Sequence, residues 1–163
     1  MKIGVLGTGN IVKLVADTLS ELEQIESYAI ASRTKERAEE AAQEYGFQKA
    51  YGTYEELVAD PEVELVYIAT PHSRHYEDMK LCIQHKKPVL CEKAFTMNSK
   101  QAKEIRELAS KEGVFVAEAI WTRYMPSRKT TSLAAAIFDG IGHISQNLAV
   151  FLLNVLPSPD ITA

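Results

Sequence analysis

Short apolar runs alternate along this chain with longer segments in which apolar residues recur at helical spacing. Lys2–Leu6 (KIGVL) reads as a buried strand. Residues 10–22 then place Ile11, Leu14, Val15, Leu19 and Leu22 on one helical face. Tyr28–Ser32 reads as a second strand. Thr34 is a helix cap for a segment running through Tyr45, with Gly46 as the stop. A short strand is expected near Lys49–Tyr51. Thr53 and Glu56 form the pattern of a capping box for a brief helix. Leu65–Ala69 is apolar throughout and predicts a fourth strand, followed by a helix over 76–85. Val89–Cys91 predicts a fifth strand. Asn98 and Gln101 repeat the capping-box pattern ahead of a helix ending at Gly113, and Val114–Glu118 predicts a sixth strand.

Six strands separated by helices imply an α/β fold with a parallel, doubly wound sheet. Strands without polar alternation fit, because helices would cover both faces. Ligands of such sheets bind beyond the carboxyl ends of the strands, so the turns after each strand are where chemistry is expected.

The chain has 163 residues, of which 46% are hydrophobic and 25% charged, with a formal net charge of -4. This is an ordinary globular composition. It carries no dense basic block, which argues against a nucleic-acid or anionic-membrane partner. Cys82 and Cys91 form no CxxC pair, and a reduced, cytoplasmic setting is expected. No signal-peptide pattern precedes the first strand, and the apolar stretch over 148–156 is too short to span a bilayer as a helix.

The first strand runs into Gly7-Thr8-Gly9-Asn10-Ile11-Val12. Gly7 allows a tight turn, and Gly9 lets the backbone approach a pyrophosphate at the start of the next helix. Val12 stands where a small residue is usual, which sets helix and strand slightly farther apart. The second strand ends Ala31-Ser32-Arg33 rather than in the Asp or Glu that bonds a ribose 2′-hydroxyl. Ser32 offers a hydrogen bond, Arg33 a charge for a 2′-phosphate, and Arg37 a second charge one helical turn on. The expected cofactor is therefore NADP rather than NAD, against the plainer reading of Arg33 as a solvated surface residue. After the fourth strand, Thr70, Pro71 and His75 are candidates facing a cofactor ribose or nicotinamide, His75 reading alternatively as a helix-start residue. His72 and His75 have a spacing that metal ligands use, but no carboxylate or thiol supports them nearby, so no metal is expected. Glu92-Lys93 ends the fifth strand on the same sheet edge. Without other motifs this pair would read as a simple ion pair.

The set GTGNIV, ASRT, ATPHSRHY, CEKAFT and EAIWTRYMP resembles the glucose–fructose oxidoreductase/inositol dehydrogenase (Gfo/Idh/MocA) family. EAIWTRYMP is most similar to the branch of dihydrodiol and D-xylose dehydrogenases. The match covers about the first 126 residues. The resemblance implies a dinucleotide-binding Rossmann domain over 1–125. Residues 126–163 would be a linker helix and the first strand of a truncated substrate domain. It implies an oxidoreductase moving a hydride between nicotinamide and a sugar, polyol or dihydrodiol. Lys93 would be the catalytic group at the substrate oxygen, Glu92 would sit beside the cofactor, and Trp121 and Arg123 would line the substrate pocket. Trp121 and Arg123 read as interdomain packing on their own. Hydride transfer to a carbonyl needs a proton carrier at the oxygen, and a buried ammonium beside the cofactor suits that task. The family pattern is Glu-Lys-Pro; here the third residue is Ala94, which leaves open whether the Lys93–Ala94 bond is cis.

Beyond Pro126 a helix over 132–139 and a strand over 141–156 are expected. An apolar strand without a sheet to join predicts self-association, most simply a homo-oligomer, or else a disordered tail. A cofactor-binding module without catalysis is the alternative function. A methyltransferase, which shares the glycine-rich turn, is the third, though its second strand normally ends in an acidic residue.

Overall fold

A computed structural model of the protein describes residues 1–120. The elements are β1 (Lys2–Leu6), α1 (Ile11–Ser20), β2 (Glu26–Ala31), α2 (Lys35–Tyr45), β3 (Lys49–Tyr51), α3 (Tyr54–Ala59), β4 (Leu65–Ile68), α4 (His75–Gln84), β5 (Val89–Cys91), α5 (Ser99–Glu112) and β6 (Val116–Glu118). The six strands form one sheet in the order β3-β2-β1-β4-β5-β6, and every pairing is parallel. The chain works outward from β1 to β3, then returns to lay β4 on the other side of β1. A crevice therefore opens beyond the carboxyl ends of β1 and β4, where the winding reverses.

Burial follows the alternation of a strand. Leu6, Val66, Ile68, Val89 and Cys91 face one cluster with Leu57 of α3, Met79 and Ile83 of α4, and Ile105 of α5. Ile3, Val5, Ile30, Tyr67 and Leu90, the alternate positions, are equally buried, as are Val12, Val15 and Leu19 of α1. With both faces covered, polar residues on the strands would be left without water, which is why the runs are apolar.

Helix starts follow the cap chemistry. Thr34 accepts a hydrogen bond from the Arg37 backbone N–H, and α2 stops at Gly46 with φ 76°. Thr53 and Glu56 form a full capping box, and Glu56 also accepts from the Gly52 N–H. The second expected box is only half formed. Asn98 accepts from the Gln101 N–H, but the Gln101 side chain reaches the Met97 N–H instead. Boundaries also move: β2 begins at Glu26 and stops before Ser32, α4 begins at His75, and β6 begins at Val116. Val114 instead takes its hydrogen bond from α5, donating to Ala109 O at 2.9 Å, so the chain joins the sheet late.

The opposite edge of the sheet is tied by Asp60. Its carboxylate accepts from Tyr51 Oη at 2.6 Å, Lys49 Nζ at 2.9 Å, Tyr28 Oη at 3.3 Å and the Glu62 N–H at 2.9 Å. Burial alone would raise its pKa. The hydrogen bonds from Tyr51, Lys49 and the Glu62 backbone outweigh that and hold it well below the usual carboxylate range. A depressed folded pKa means stability that is present above the unfolded value and lost as pH falls through the folded one. Asp60→Ala is expected to lower the unfolding free energy near neutral pH by about 1–3 kcal/mol. Urea unfolding at a series of pH values should show the gap to the wild type narrowing through the acid range. A gap independent of pH down to strong acid would refute the charge-based account.

Candidate functional site

At the carboxyl ends of β1, β4, β5 and β6 the first turn residue is pinned to the neighbouring strand. Gly7 N–H donates to Ala31 O (2.9 Å), Ala69 N–H to Leu6 O (2.9 Å), Glu92 N–H to Ile68 O (3.0 Å) and Ala119 N–H to Cys91 O (2.7 Å). The turns that carry the candidate residues thus start from fixed points on a rigid sheet. Gly7 has φ 102°, and a Cβ there would lie 2.8 Å from Ala69 O. Glycine is required by the protein itself at this position. At Gly9 a Cβ would meet only Ala69 O, at 3.8 Å, which is ordinary contact. The packing makes no demand there, so a close-approaching ligand is the remaining reason for its small size. Asn10 makes no side-chain cap on α1, and the first turn of α1 holds no acidic residue. A helix N-terminus left uncapped and free of carboxylates suits an anion.

A cavity of about 690 Å³ lies over this turn. Of the residues expected to hold a cofactor, Gly7, Thr8, Gly9, Asn10, Ile11, Ser32, Arg33, Arg37, Thr70 and Pro71 all line it. Thr8 and Ser32 hydroxyls stand 3.4 Å apart, linking the first two turns. Arg33 and Arg37 are exposed, and neither forms an ion pair among the described residues. Glu55 is the one carboxylate lining the cavity among the described residues. Both guanidinium groups act on Tyr54, whose phenol is pushed up by burial and by Asp78 and pulled back by Arg74, Arg33 and Arg37.

A smaller cavity of about 170 Å³ shares Ile11, Ala69 and Thr70 with the first and adds His72, Glu92 and Lys93. Glu92 and Lys93 therefore sit at one end of a continuous groove, with the arginines at the other. The Lys93–Ala94 peptide bond is cis. Lys93 is exposed, which corrects the expectation of a buried ammonium: nothing in the described residues covers it. Tyr67 Oη donates a short hydrogen bond to Glu92 Oε1. The Tyr67 phenol is raised well above its usual value by burial and by the neighbouring Glu92 charge, so it stays a donor.

His75 takes the helix-start alternative, opening α4, and corrects the expectation of a cofactor contact. It is fully buried and lines neither cavity. Its Nδ1 lies 2.8 Å from Ala94 O and its Nε2 2.9 Å from Thr70 O. Two backbone carbonyls occupy its ring, so it braces the turns after β4 and β5 rather than reaching a cofactor. Burial pushes both thiols, Cys82 and Cys91, far up, which leaves them unreactive. Trp121 and Arg123, the expected substrate residues, lie outside the described residues, as do the expected linker helix and apolar strand beyond them.

Several lining residues escaped the sequence reading as cofactor contacts, among them Tyr54, Arg74 and His72. Tyr54 opens α3 beyond the end of β3, Arg74 precedes α4, and His72 is exposed beside Lys93. Asp78, fully buried, accepts from the Thr70 hydroxyl at 2.7 Å and from Arg74 at 2.9 Å, so it orients two of the walls. The signal was available in principle, because every turn on the carboxyl edge borders the crevice, including the one after β3. A wider, shallower hollow of about 1000 Å³ beside β3 is lined by Lys49 and Asp60, which already satisfy each other. It offers no comparable set of unpaired groups.

The fold, the glycine turn and the two adjoining cavities agree with a further finding: residues 1–120 match the GFO_IDH_MocA model, an oxidoreductase family with an NAD-binding Rossmann fold. The chain belongs to this family. Among curated Gfo/Idh/MocA relatives, a trans-1,2-dihydrobenzene-1,2-diol dehydrogenase from Mus musculus is 42% identical over 129 residues, 78% of this chain and 39% of that protein. A D-xylose 1-dehydrogenase (NADP(+)) from Hypocrea jecorina is 40% identical over 167 residues, 94% of this chain and 42% of that protein. Among solved structures, an NAD binding oxidoreductase from Klebsiella pneumoniae superposes with a TM-score of 0.77 at 30% identity, covering 86% of this chain and 39% of that one. A 3-ketoreductase from Actinomadura kijaniata, in complex with TDP-benzene and NADP, gives a TM-score of 0.76 at 25% identity, covering 86% and 44%. The chain thus spans about two fifths of the length of the Gfo/Idh/MocA relatives it matches.

Proposed function

We propose that the protein binds NADP(H) and serves hydride transfer between the nicotinamide and a carbinol or carbonyl carbon of a sugar, polyol or dihydrodiol. The observation that carries this reading is the pair of unpaired guanidinium groups, Arg33 and Arg37, lining the same cavity as the glycine turn. With Ser32 in place of a carboxylate at the end of β2, a 2′-phosphate meets two cations and no repulsion from that strand. The names of the NADP-linked relatives from Hypocrea jecorina and Actinomadura kijaniata support the same choice.

When bound, the cofactor supplies the hydride and its acceptor position. The chain's own residues do the rest. Backbone N–H groups around Gly9 and the start of α1 hold the pyrophosphate. Ile11, Ala69 and Thr70 form the wall shared by the two cavities and set the path along the groove. Lys93 holds or delivers a proton at the substrate oxygen and stabilises alkoxide charge as it develops. Glu92, held by Tyr67, accepts the Lys93 backbone N–H and so steadies the start of that turn. The substrate class follows from the dihydrodiol and xylose dehydrogenase relatives.

Fluorescence titration with NADPH and NADH tests the cofactor assignment. Arg33→Ala is expected to weaken NADPH by roughly 10–100-fold, the range of a hydrogen bond to a charged group, and NADH by less than about threefold. Equal losses for both cofactors would remove the 2′-phosphate from the reading. A panel of sugars, polyols and dihydrodiols with NADP+ then separates an enzyme from a binding module.

A further inference from the structure

The ammonium of Lys93 ends a flexible four-carbon stem, so its placement depends on where the backbone of its turn is held. Residues 92–95 make few ties of their own. Glu92 N–H bonds to β4, and the Lys93 N–H donates to Glu92 Oε2 at 3.1 Å, within the turn itself. Beyond Lys93, the next two backbone groups are taken from opposite sides. His75, at the start of α4, lies 2.8 Å by its Nδ1 from Ala94 O. Glu118, at the end of β6, accepts the Phe95 N–H on Oε1 at 2.8 Å. Glu118 lines neither the dinucleotide cavity nor the cavity around Lys93. Its backbone is registered against Cys91, the last residue of β5, so its carboxylate starts from a fixed distance to the turn.

We infer that Glu118 is a positioning residue for Lys93: with His75 opposite, it fixes the turn that carries the ammonium to the substrate oxygen. The carboxylate touches neither substrate nor cofactor. It acts by accepting one N–H two residues past Lys93. A carboxylate is suited because a hydrogen bond to a charged acceptor is stronger and shorter than one to a neutral group. His75 supplies the complementary jaw. A neutral ring donates to Ala94 O or to Thr70 O, an imidazolium to both, and either state leaves the Phe95 N–H to Glu118 alone.

The inference rests on the role proposed for Lys93, so its test has a readout that does not need turnover. Backbone amide exchange is followed by NMR in the whole chain. In Glu118→Leu the Phe95 amide is expected to exchange about tenfold faster or more, while the Val66 amide in β4 keeps its wild-type rate. Glu118→Gln retains an acceptor oxygen and should restore Phe95 protection. In the same variants NADPH affinity stays within about twofold of wild type, and with a turned-over substrate Glu118→Leu lowers kcat about tenfold or more while changing KM far less. Glu118→Gln recovers most of that loss. Unchanged Phe95 exchange in Glu118→Leu overturns the inference, as does a kcat loss that Gln does not rescue. If no substrate turns over in the wild type, the role of Lys93 fails while the exchange data still decide whether Glu118 holds the turn. Should Glu118→Leu not fold, Glu118→Asp, one methylene shorter, carries the same measurement, and full Phe95 protection with wild-type kcat in that variant sinks the idea.

Discussion

Replacing Lys93 with Met is expected to lower NADP-linked turnover by roughly 10²–10⁴-fold, the usual contribution of a placed proton carrier, without weakening NADPH. Met keeps much of the length and apolar stem of Lys and removes the charge and the donors. Lys93 is exposed and makes no ion pair among the described residues. Its loss should therefore leave stability within about 0.5 kcal/mol of wild type, as for most surface changes. The arginine end of the groove is lined by residues that do not include Lys93, which is why cofactor affinity should survive. Steady-state kinetics on an active diol or sugar, with a parallel NADPH titration, reads both quantities. Retained turnover removes Lys93 from the chemistry. A parallel loss of NADPH binding would mean that Lys93 holds the cofactor instead.

Gly7→Val should have the second large effect, and through the backbone. The residue sits at φ 102°, a region that costs a β-branched side chain roughly 1–2 kcal/mol or more. A Cβ at 2.8 Å from Ala69 O, with the Ala69 carbonyl carbon at 3.0 Å, forces the β1 and β4 turns apart. Those turns carry Thr8, Gly9, Thr70 and Pro71, all of which line the dinucleotide cavity. NADPH affinity is expected to fall by about a hundredfold, and the thermal midpoint to drop by several degrees. Gly9→Ala separates the two glycines. Its Cβ meets only ordinary contact within the protein, so the thermal midpoint should hold while NADPH binding weakens. If Gly9→Ala binds NADPH as well as wild type, the close approach of a pyrophosphate at this turn is not what the glycine serves.

Much of the site was legible because its chemistry is local in sequence. A turn between a strand and a helix is a few residues long, so Gly7-Thr8-Gly9 and Ser32-Arg33 name their own surroundings once the strands are placed. The parallel sheet then puts all such turns on one edge, which is why separate motifs from residues 7, 32, 70 and 92 meet in one groove. His75 was placed at a helix start, where it is, but its proposed cofactor contact failed because a position after a strand says nothing of which way the ring turns. At the first position of α4 it is carried inward, between two carbonyls of different turns, and only the packing of that helix reveals it. The exposure of Lys93 escaped for a related reason: an apolar strand predicts where burial begins, not how far past its end the cover extends.

The sequence by itself determined the alternation of strands and helices, from which a parallel sheet follows, the family, and the place of Arg33 and Arg37 just past β2, since each is written in short local stretches of chain. Only the tertiary structure decided which side chains support the turn of Lys93. Tyr67, His75 and Glu118 come from β4, α4 and β6, and each reaches that turn across 19 to 25 residues of chain. Contacts of that span leave no periodic mark in a sequence. They exist because parallel strands β4, β5 and β6 end side by side, and the chain must travel through a whole helix to bring each one there.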